Sequence, residues 1–311
     1  MIKVIFLGTT SLSVGVLSSL VDAQYQIAAV ITQPDRECGR GRKLTPPPVK
    51  VWSQDRGFKV LQPEKVNRKE FLDLISEIAP DILIVAAYGQ ILRSSLLKIA
   101  PFGCINVHAS LLPRYRGADP IRWAILNGEK KTGVSLMIMD EGIDTGPVLA
   151  TREVIIEESD NSGTLEKKLG KIGGELLVEV LPAWFERKIE PIPQSNDQAS
   201  YAGKIPKNLF QINWNHSAEE IVRQVKAFAP CPGAFGYFHQ KRLKIMKAHV
   251  YHHEARANPG QIIRYEPKDG LLVGTGNGVL AIEELHPENK KVQSSLEFCC
   301  GYHLQPGDVF Q

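Results

Sequence analysis

No glycine-rich phosphate loop follows the first apolar run of this chain. Gly8-Thr9-Thr10-Ser11-Leu12-Ser13 is neither G-x-G-x-x-G nor G-x-x-x-x-G-K-[ST]. A dinucleotide or a nucleoside triphosphate is therefore denied the backbone cradle it needs. Gly8 reads instead as a tight strand-to-helix turn. Cysteine is sparse: Cys38, Cys104, Cys231, Cys299 and Cys300 include no C-x-x-C pair, and their number is odd. No Cys/His spacing suits zinc, so no metal is expected, and the thiols are expected to be free as in a reducing cytosol. Long apolar stretches are missing too. The opening MIKVIFLG is too short for an export signal, and no run approaches the roughly 20 residues of a membrane-spanning helix. The expectation is a cytoplasmic protein with no membrane association. Internal repeats and low-complexity tracts are also absent. Charge of one sign hardly dominates: 37 Lys and Arg against 34 Asp and Glu leave a net +3. That excess by itself does not mark a nucleic-acid binder, so the position of the positive charge matters more than its sum.

What is present is an ordinary globular composition, 43% hydrophobic and 23% charged over 311 residues, long enough for two domains. The first half alternates strands and helices. Ile2–Leu7 reads as a buried strand, a helix is expected from about Ser13 to Asp22, and Ile27–Ile31 reads as a second strand. A loop follows, then helices over about Pro48–Arg56 and Phe71–Ile78, the latter stopped by Pro80. Ile82–Ala87 is a continuous apolar run of the kind buried on both faces of a parallel sheet. Cys104–Val107 and Val134–Met139 supply further strands, and Thr164–Arg187 a long closing helix. The pattern predicts a Rossmann-like, doubly wound α/β domain with a mostly parallel sheet over residues 1–189. Residues 190–206 (EPIPQSNDQASYAGKIP) have linker chemistry, with three prolines among small polar residues. Over 207–311 a single helix, Ser217–Phe228, is expected, and then short strands separated by turns such as CPGAFG, PKDG and GTGNG. These point to a small β-barrel or sandwich.

Three pieces carry chemistry. In Cys104-Ile105-Asn106-Val107-His108, strand periodicity puts Asn106 and His108 on one face. They lie at the strand's carboxyl end, where open α/β sheets bind ligands. Next comes Ala109-Ser110-Leu111-Leu112-Pro113-Arg114-Tyr115-Arg116-Gly117, either a surface turn or a ligand wall of apolar and stiff residues. The third piece is Asp140-Glu141-Gly142-Ile143-Asp144-Thr145-Gly146, whose glycines permit a return that would aim Asp144 at the sheet end. An amide, an imidazole and a carboxylate together suit acyl transfer to an amine. Asn106 can donate to the developing oxyanion, His108 can serve as second donor or proton carrier, and Asp144 can orient the ring and help to remove the amine's proton. No nucleophilic Ser or Cys is required.

These motifs, Asn106-x-His108, SLLPRYRG at 110–117 and DEGIDTG at 140–146, resemble those of the folate-dependent formyltransferase family in order and spacing. The resemblance implies that Asn106, His108 and Asp144 are the catalytic residues and that the co-substrate is 10-formyltetrahydrofolate. It also implies that Ser110, Leu111, Leu112 and Pro113 border the folate, with the pterin between that loop and Tyr88, Gly89, Gln90, Ile91 and Leu92. Over essentially the whole chain the likeness extends to the branch of that family whose acceptor is initiator methionyl-tRNA. It then implies an OB-like second domain and a tRNA-contacting loop carrying Arg36, Arg40, Arg42, Lys43 and Lys50, with a further matching stretch at 227–235 (AFAPCPGAF). Five cations against Glu37 alone between residues 36 and 50 agree with a phosphate-backbone partner. Thr10, Ala109 and Asp119 depart from the family's usual proline, glycine and alanine. Rival readings are an amino-sugar nucleotide as acceptor, water as acceptor, or a tRNA-binding protein without catalysis. A monomer is the expected state.

Overall fold

The apolar runs of the first half become strands covered on both faces. A computed structural model of the chain describes residues 2–38, 43–253 and 257–311. They form two compact units: Met1–Pro120, Lys130–Ile156 and Leu165–Gly203 in one, Ile121–Glu129, Glu157–Thr164 and Lys204–Gln311 in the other.

The chain begins β1 (Lys3–Gly8), α1 (Ser11–Asp22), β2 (Gln26–Ile31), β3 (Arg36–Cys38), β4 (Lys43–Thr45), α2 (Pro48–Gln54), β5 (Val60–Leu61) and α3 (Lys69–Ile78). It continues β6 (Ile82–Ala86), α4 (Ser94–Leu97), β7 (Cys104–His108), α5 (Pro120–Leu126), β8 (Lys131–Ile138), β9 (Val148–Ile155) and α6 (Ser162–Phe185). The main sheet has the order β5-β2-β1-β6-β7-β8-β9. It is parallel from β5 to β7, and β8 and β9 then add antiparallel. This is the expected Rossmann-like, mostly parallel sheet with one antiparallel edge. β9 is invisible to the sequence reading because it is an edge strand carrying Arg152 and Glu153, so its apolar signal is thin. In the stretch read as a loop after β2, β3 and β4 pair as a two-stranded ribbon. α3 ends one residue before the expected proline, at Ala79, whose φ of 49° is left-handed.

Two local features prepare the site. At the turn after β1, Ser13 Oγ accepts from the Thr9 and Thr10 N–H groups at 3.0 and 3.1 Å and donates to Ala86 O at 2.6 Å. Amides that could hold a phosphate are taken by a side chain. On the face that also carries α1, Gly173 of α6 lies against β7, where a Cβ would come within 2.7 Å of Val107 Cγ1. Val107 thus faces the helix, and the alternation of a strand turns Asn106 and His108 the other way.

The segment with linker composition is not free chain. Val148 and Ile192 exchange both backbone hydrogen bonds at 2.8 Å. Further on, Arg116 N–H donates to Ser200 O at 2.8 Å, Ala202 N–H to Arg116 O at 2.7 Å, and Asp119 N–H to Ala202 O at 3.1 Å. Residues 192–202 form a strap along the loops that follow β7 and β8.

In the other unit, α7 (Ala218–Phe228) starts on a capping box. Ser217 Oγ accepts from Glu220 N–H, and Glu220 Oε2 accepts from Ser217 N–H at 2.8 Å. Five strands follow, β10 (Ala234–Phe238), β11 (Lys241–Tyr251), β12 (Ile262–Glu266), β13 (Gly270–Gly274) and β14 (Val279–Pro287), then the short β15 (Gln293–Ser294) and an unexpected helix, α8 (Ser295–Tyr302). The antiparallel order is β10-β11-β14-β13-β12, with β15 on β14. Residues 308–311 tie the two sheet edges together. Tyr237 and Gln311 exchange backbone bonds of 2.6 and 2.8 Å beside β10, while Phe310 N–H donates to Gly260 O and Ile262 N–H to Asp308 O beside β12. Among the described residues the tail thus bridges the β10 and β12 edges and closes the sheet as a barrel. Phe310, 3% exposed, plugs one end and stacks on Trp214 at 5.5 Å.

Phe310→Ala is expected to destabilise this unit by about 3 kcal/mol, the usual cost of emptying an aromatic core site. Urea unfolding followed at Trp214 should show a lower midpoint with little change in slope. An unchanged midpoint would contradict the plug.

Candidate active site

The strand β7 ends where the sheet changes from parallel to antiparallel, and it delivers two polar side chains there. Asn106 and His108 are 8% and 6% exposed. Asn106 Nδ2 donates to Asp144 Oδ1 at 3.4 Å, and His108 Nδ1 lies 3.6 Å from Asp144 Oδ2. The far ring nitrogen, Nε2, is 3.0 Å from the Tyr115 carbonyl and so carries a hydrogen. That bond fixes the ring plane and leaves Nδ1 turned to the carboxylate. The contacts of Asp144 with Asn106 and His108 are long, leaving room for them to tighten around a ligand.

Asp144 reaches the strand end through its own backbone. Its φ is 52°, left-handed, whereas the reading from sequence gave the return to the neighbouring glycines. Gly146 is needed for space: a Cβ there would collide with the Ile138 carbonyl. Asp140 Oδ1 ties the turn from outside, accepting from Gly142 N–H at 3.0 Å and Thr145 Oγ1 at 2.7 Å. The Asp144 carboxylate also accepts from Gly117 N–H at 2.8 Å.

The loop after β7 is pinned by Ser135, which the sequence reading passed over. Its Oγ donates to Ser110 O at 2.7 Å and accepts from Leu112 N–H at 2.9 Å. A lone hydroxyl in the apolar run of β8 was the available signal. Ser110 and Leu112 are buried, while Leu111 and Pro113 are half-buried. The two arginines of that loop separate sharply. Arg114 is exposed, and Arg116 is 1% exposed. The Arg116 guanidinium holds Gln194 Oε1 through Nε and Nη2 at 3.0 and 2.9 Å, and Asn196 Oδ1 through Nη1 at 3.0 Å.

Residues 88–92 follow the neighbouring strand β6, so both expected folate segments leave the same edge of the sheet. Tyr88 and Leu92 are core residues, Gln90 is held by Val66 N–H and Pro63 O, and Gly89 and Ile91 are exposed. Burial pushes the Tyr88 phenol well above its ordinary pKa, and its oxygen has no partner among the described residues. Burial likewise raises the Cys104 thiol, which lies beside Met139 Sδ at 3.5 Å. A thiol held protonated is no nucleophile, in keeping with direct attack by the acceptor. Among the described residues no group of three or more His, Cys, Asp or Glu could hold a metal ion.

Of the basic residues singled out, Arg40 and Arg42 lie outside the described residues. Arg36 and Lys43 are exposed on the β3–β4 ribbon, and Arg36 pairs with Glu64 at 3.1 Å. Lys50 instead reaches Asp35 at 2.7 Å, where Gln62 Nε2 also donates at 2.7 Å. It braces the foot of the ribbon.

Comparison with known proteins gives this arrangement its family. The family model described as "Formyl transferase" matches residues 2–181, and "Formyl transferase, C-terminal domain" matches residues 204–303. The chain belongs to the formyl transferase family. Among curated formyl transferases it is 45% identical to the methionyl-tRNA formyltransferase of Dictyoglomus thermophilum, over 99% of this chain and 100% of that protein. The methionyl-tRNA formyltransferase of Bacillus velezensis is 42% identical over 99% of this chain and 98% of the relative. Two solved structures share the fold at lower identity. HypX from Aquifex aeolicus in complex with tetrahydrofolic acid has a TM-score of 0.65 at 18% identity, and the match covers 99% of this chain but only 50% of HypX. WlaRD, a sugar 3N-formyl transferase, has a TM-score of 0.66 at 22% identity, covering 93% of this chain and 99% of that one.

The hydrogen bond from Gln62, and next that from Lys50, hold the Asp35 carboxyl below its ordinary pKa. A carboxyl lowered on folding stabilises above its unfolded pKa, and the effect is lost as pH falls through the folded value. Carbon-13 NMR should find Asp35 titrating below the ordinary carboxylate range, and Lys50→Met should move it up. An Asp35 titration indifferent to Lys50→Met would contradict the brace.

Proposed function

We propose that this formyl transferase moves the formyl group of 10-formyltetrahydrofolate to the α-amine of methionine on initiator methionyl-tRNA. The observation that carries the reading is the meeting of Asn106, His108 and Asp144 at the end of β7. It occurs in a chain that aligns over its whole length with methionyl-tRNA formyltransferases. The folate supplies an activated formyl carbon on N10. The two segments leaving β6 and β7 fit such a donor: exposed Ile91 and half-buried Leu111 offer apolar contact, and Asn106 offers an amide beside them.

Asn106 Nδ2 donates to the formyl oxygen as negative charge gathers there, a role that needs a donor already in place. His108 stands beside it as proton carrier, with Nε2–H on the Tyr115 carbonyl and Nδ1 toward Asp144. Asp144 orients His108 and, with it, carries the proton lost by the attacking amine toward the nitrogen that leaves. Because the amine attacks directly, no covalent enzyme adduct forms. Arg36 and Lys43, exposed on the ribbon, and with them Arg40 and Arg42, take the phosphates of the acceptor. Lys50 supports them from below. We assign residues 1–189 to catalysis, 190–206 to the connection and 207–311 to tRNA binding, in a cytoplasmic monomer. An amino-sugar acceptor is less well supported, since likeness to WlaRD at 22% identity speaks for the fold alone.

Purified protein given 10-formyltetrahydrofolate should formylate methionyl initiator tRNA and leave a UDP-amino sugar untouched. Formylated sugar beside inert tRNA would overturn the acceptor and keep the chemistry. Asn106→Ala should lose on the order of 10²–10³ in kcat, as removal of one oxyanion donor does; near-normal turnover would remove Asn106 from its role. Arg40→Ala should raise KM for tRNA and flatten its dependence on salt. The same KM at every salt concentration would take Arg40 out of the interface.

A further inference from the structure

Asp144 is gripped at two points, and only one of them is its carboxylate. Gln194 Nε2 donates to the Asp144 carbonyl at 2.9 Å and to the Gly146 carbonyl at 2.7 Å. Its Oε1 accepts twice from the buried guanidinium of Arg116. All four hydrogen-bonding positions of the amide are therefore filled. Among the described residues Arg116 meets no carboxylate: its guanidinium bonds to two neutral amide oxygens, those of Gln194 and Asn196. A buried guanidinium facing Oε1 leaves the amide one orientation, with Nε2 toward the turn. The residue after Arg116 then supplies the N–H that holds the Asp144 carboxylate.

We propose that Gln194, oriented by Arg116, is a positioning residue for Asp144. The inference rests on the reading of Asp144 as a catalytic group. A left-handed aspartate is held only by its surroundings. Gln194 fixes the backbone from which the carboxylate reaches back to Asn106 and His108. The arginine thus acts on the reaction through an amide, and its charge stays away from the reacting atoms. Ser200 completes the support, its Oγ accepting from the N–H of Tyr115, whose carbonyl in turn holds His108. The strap therefore positions both partners of the His108–Asp144 pair.

The two faces of the Gln194 amide can be separated by substitution. Gln194→Glu keeps an oxygen for Arg116, now as a charge pair, and deletes the donor to the turn. Gln194→Leu deletes both. Gln194→Glu is expected to keep or raise Tm and to lower kcat about 10- to 100-fold, the range seen when an outer support of a site is lost. KM for folate and for tRNA should stay within about twofold, because a positioning residue touches neither substrate. Gln194→Leu should lose both Tm and kcat, since it strands a buried guanidinium. Asp144→Asn is measured alongside. If Asp144→Asn is inactive while Gln194→Glu has wild-type kcat, the positioning role is overturned and the reading of Asp144 stands. If Asp144→Asn is fully active, the reading beneath it fails. A Gln194→Glu protein that loses Tm in step with activity would make the contact a structural latch and overturn the proposal, as would a raised KM at unchanged kcat.

Discussion

The arrangement depends on holding one aspartate in a backbone conformation that it does not favour. Asp144 turns left-handed at the tip of the loop between β8 and β9, and nothing within that loop's own six neighbours reaches its carboxylate. The Gly117 N–H does so from the loop after β7. A site assembled this way has its imidazole at the end of β7 and its carboxylate on the β8–β9 loop, and the loops that follow the two strands must be fixed independently. Ser135 fixes the first through Ser110 and Leu112. Asp140 and the close approach of Gly146 to Ile138 fix the second.

In the antiparallel pairing of β7 with β8, the loop between β8 and β9 leaves beside the amino end of β7, and Asp144 folds back from it to Asn106 and His108. As an antiparallel pair, β8 and β9 are joined by the short DEGIDTG turn. Here Ser135 sits opposite His108 in register, and Asp144 lies close to the strand end. The departures from family usage are absorbed without disturbing this geometry. Ala109 is buried, Thr10 gives its N–H to Ser13 Oγ, and Asp119 gives its N–H to Ala202 O.

Charge is distributed differently on the β3–β4 ribbon. The basic stretch is a ribbon whose foot is neutralised, with Lys50 and Asp35 paired and Gln62 bridging Asp35 to the Gln33 carbonyl at 2.9 Å. Gln33 in turn donates to the Tyr88 carbonyl at 3.1 Å. The base of the ribbon and the segment after β6 thus share one polar network. Arg36 and Lys43 remain at the surface, where screening is strong and contacts with phosphates trade against released counterions.

The sequence by itself determined what depends on local pattern. Continuous apolar runs required strands covered on both faces, and period two put Asn106 and His108 on one side of β7. The stretch Ser217–Phe228 read as the one helix of the second half before its strands, and α7 forms there. The missing glycine fingerprint excluded a phosphate cradle, and the motif set led to the formyl transferase family. Only the tertiary structure decided what depends on partners far along the chain. Arg116 stood in a stretch that read as either a surface turn or a ligand wall, and its burial could not be foreseen because its partners Gln194 and Asn196 lie 78 and 80 residues away. Residues 190–206 looked like a linker, because proline and small polar residues give no periodic burial. They serve as a strap, since irregular backbone leaves its amides and side chains free to bond to other loops. β9, α8 and the closing residues 308–311 were hidden for a related reason. An edge strand, a short helix and an unpaired tail carry little apolar signal of their own and take their form from the surfaces that receive them.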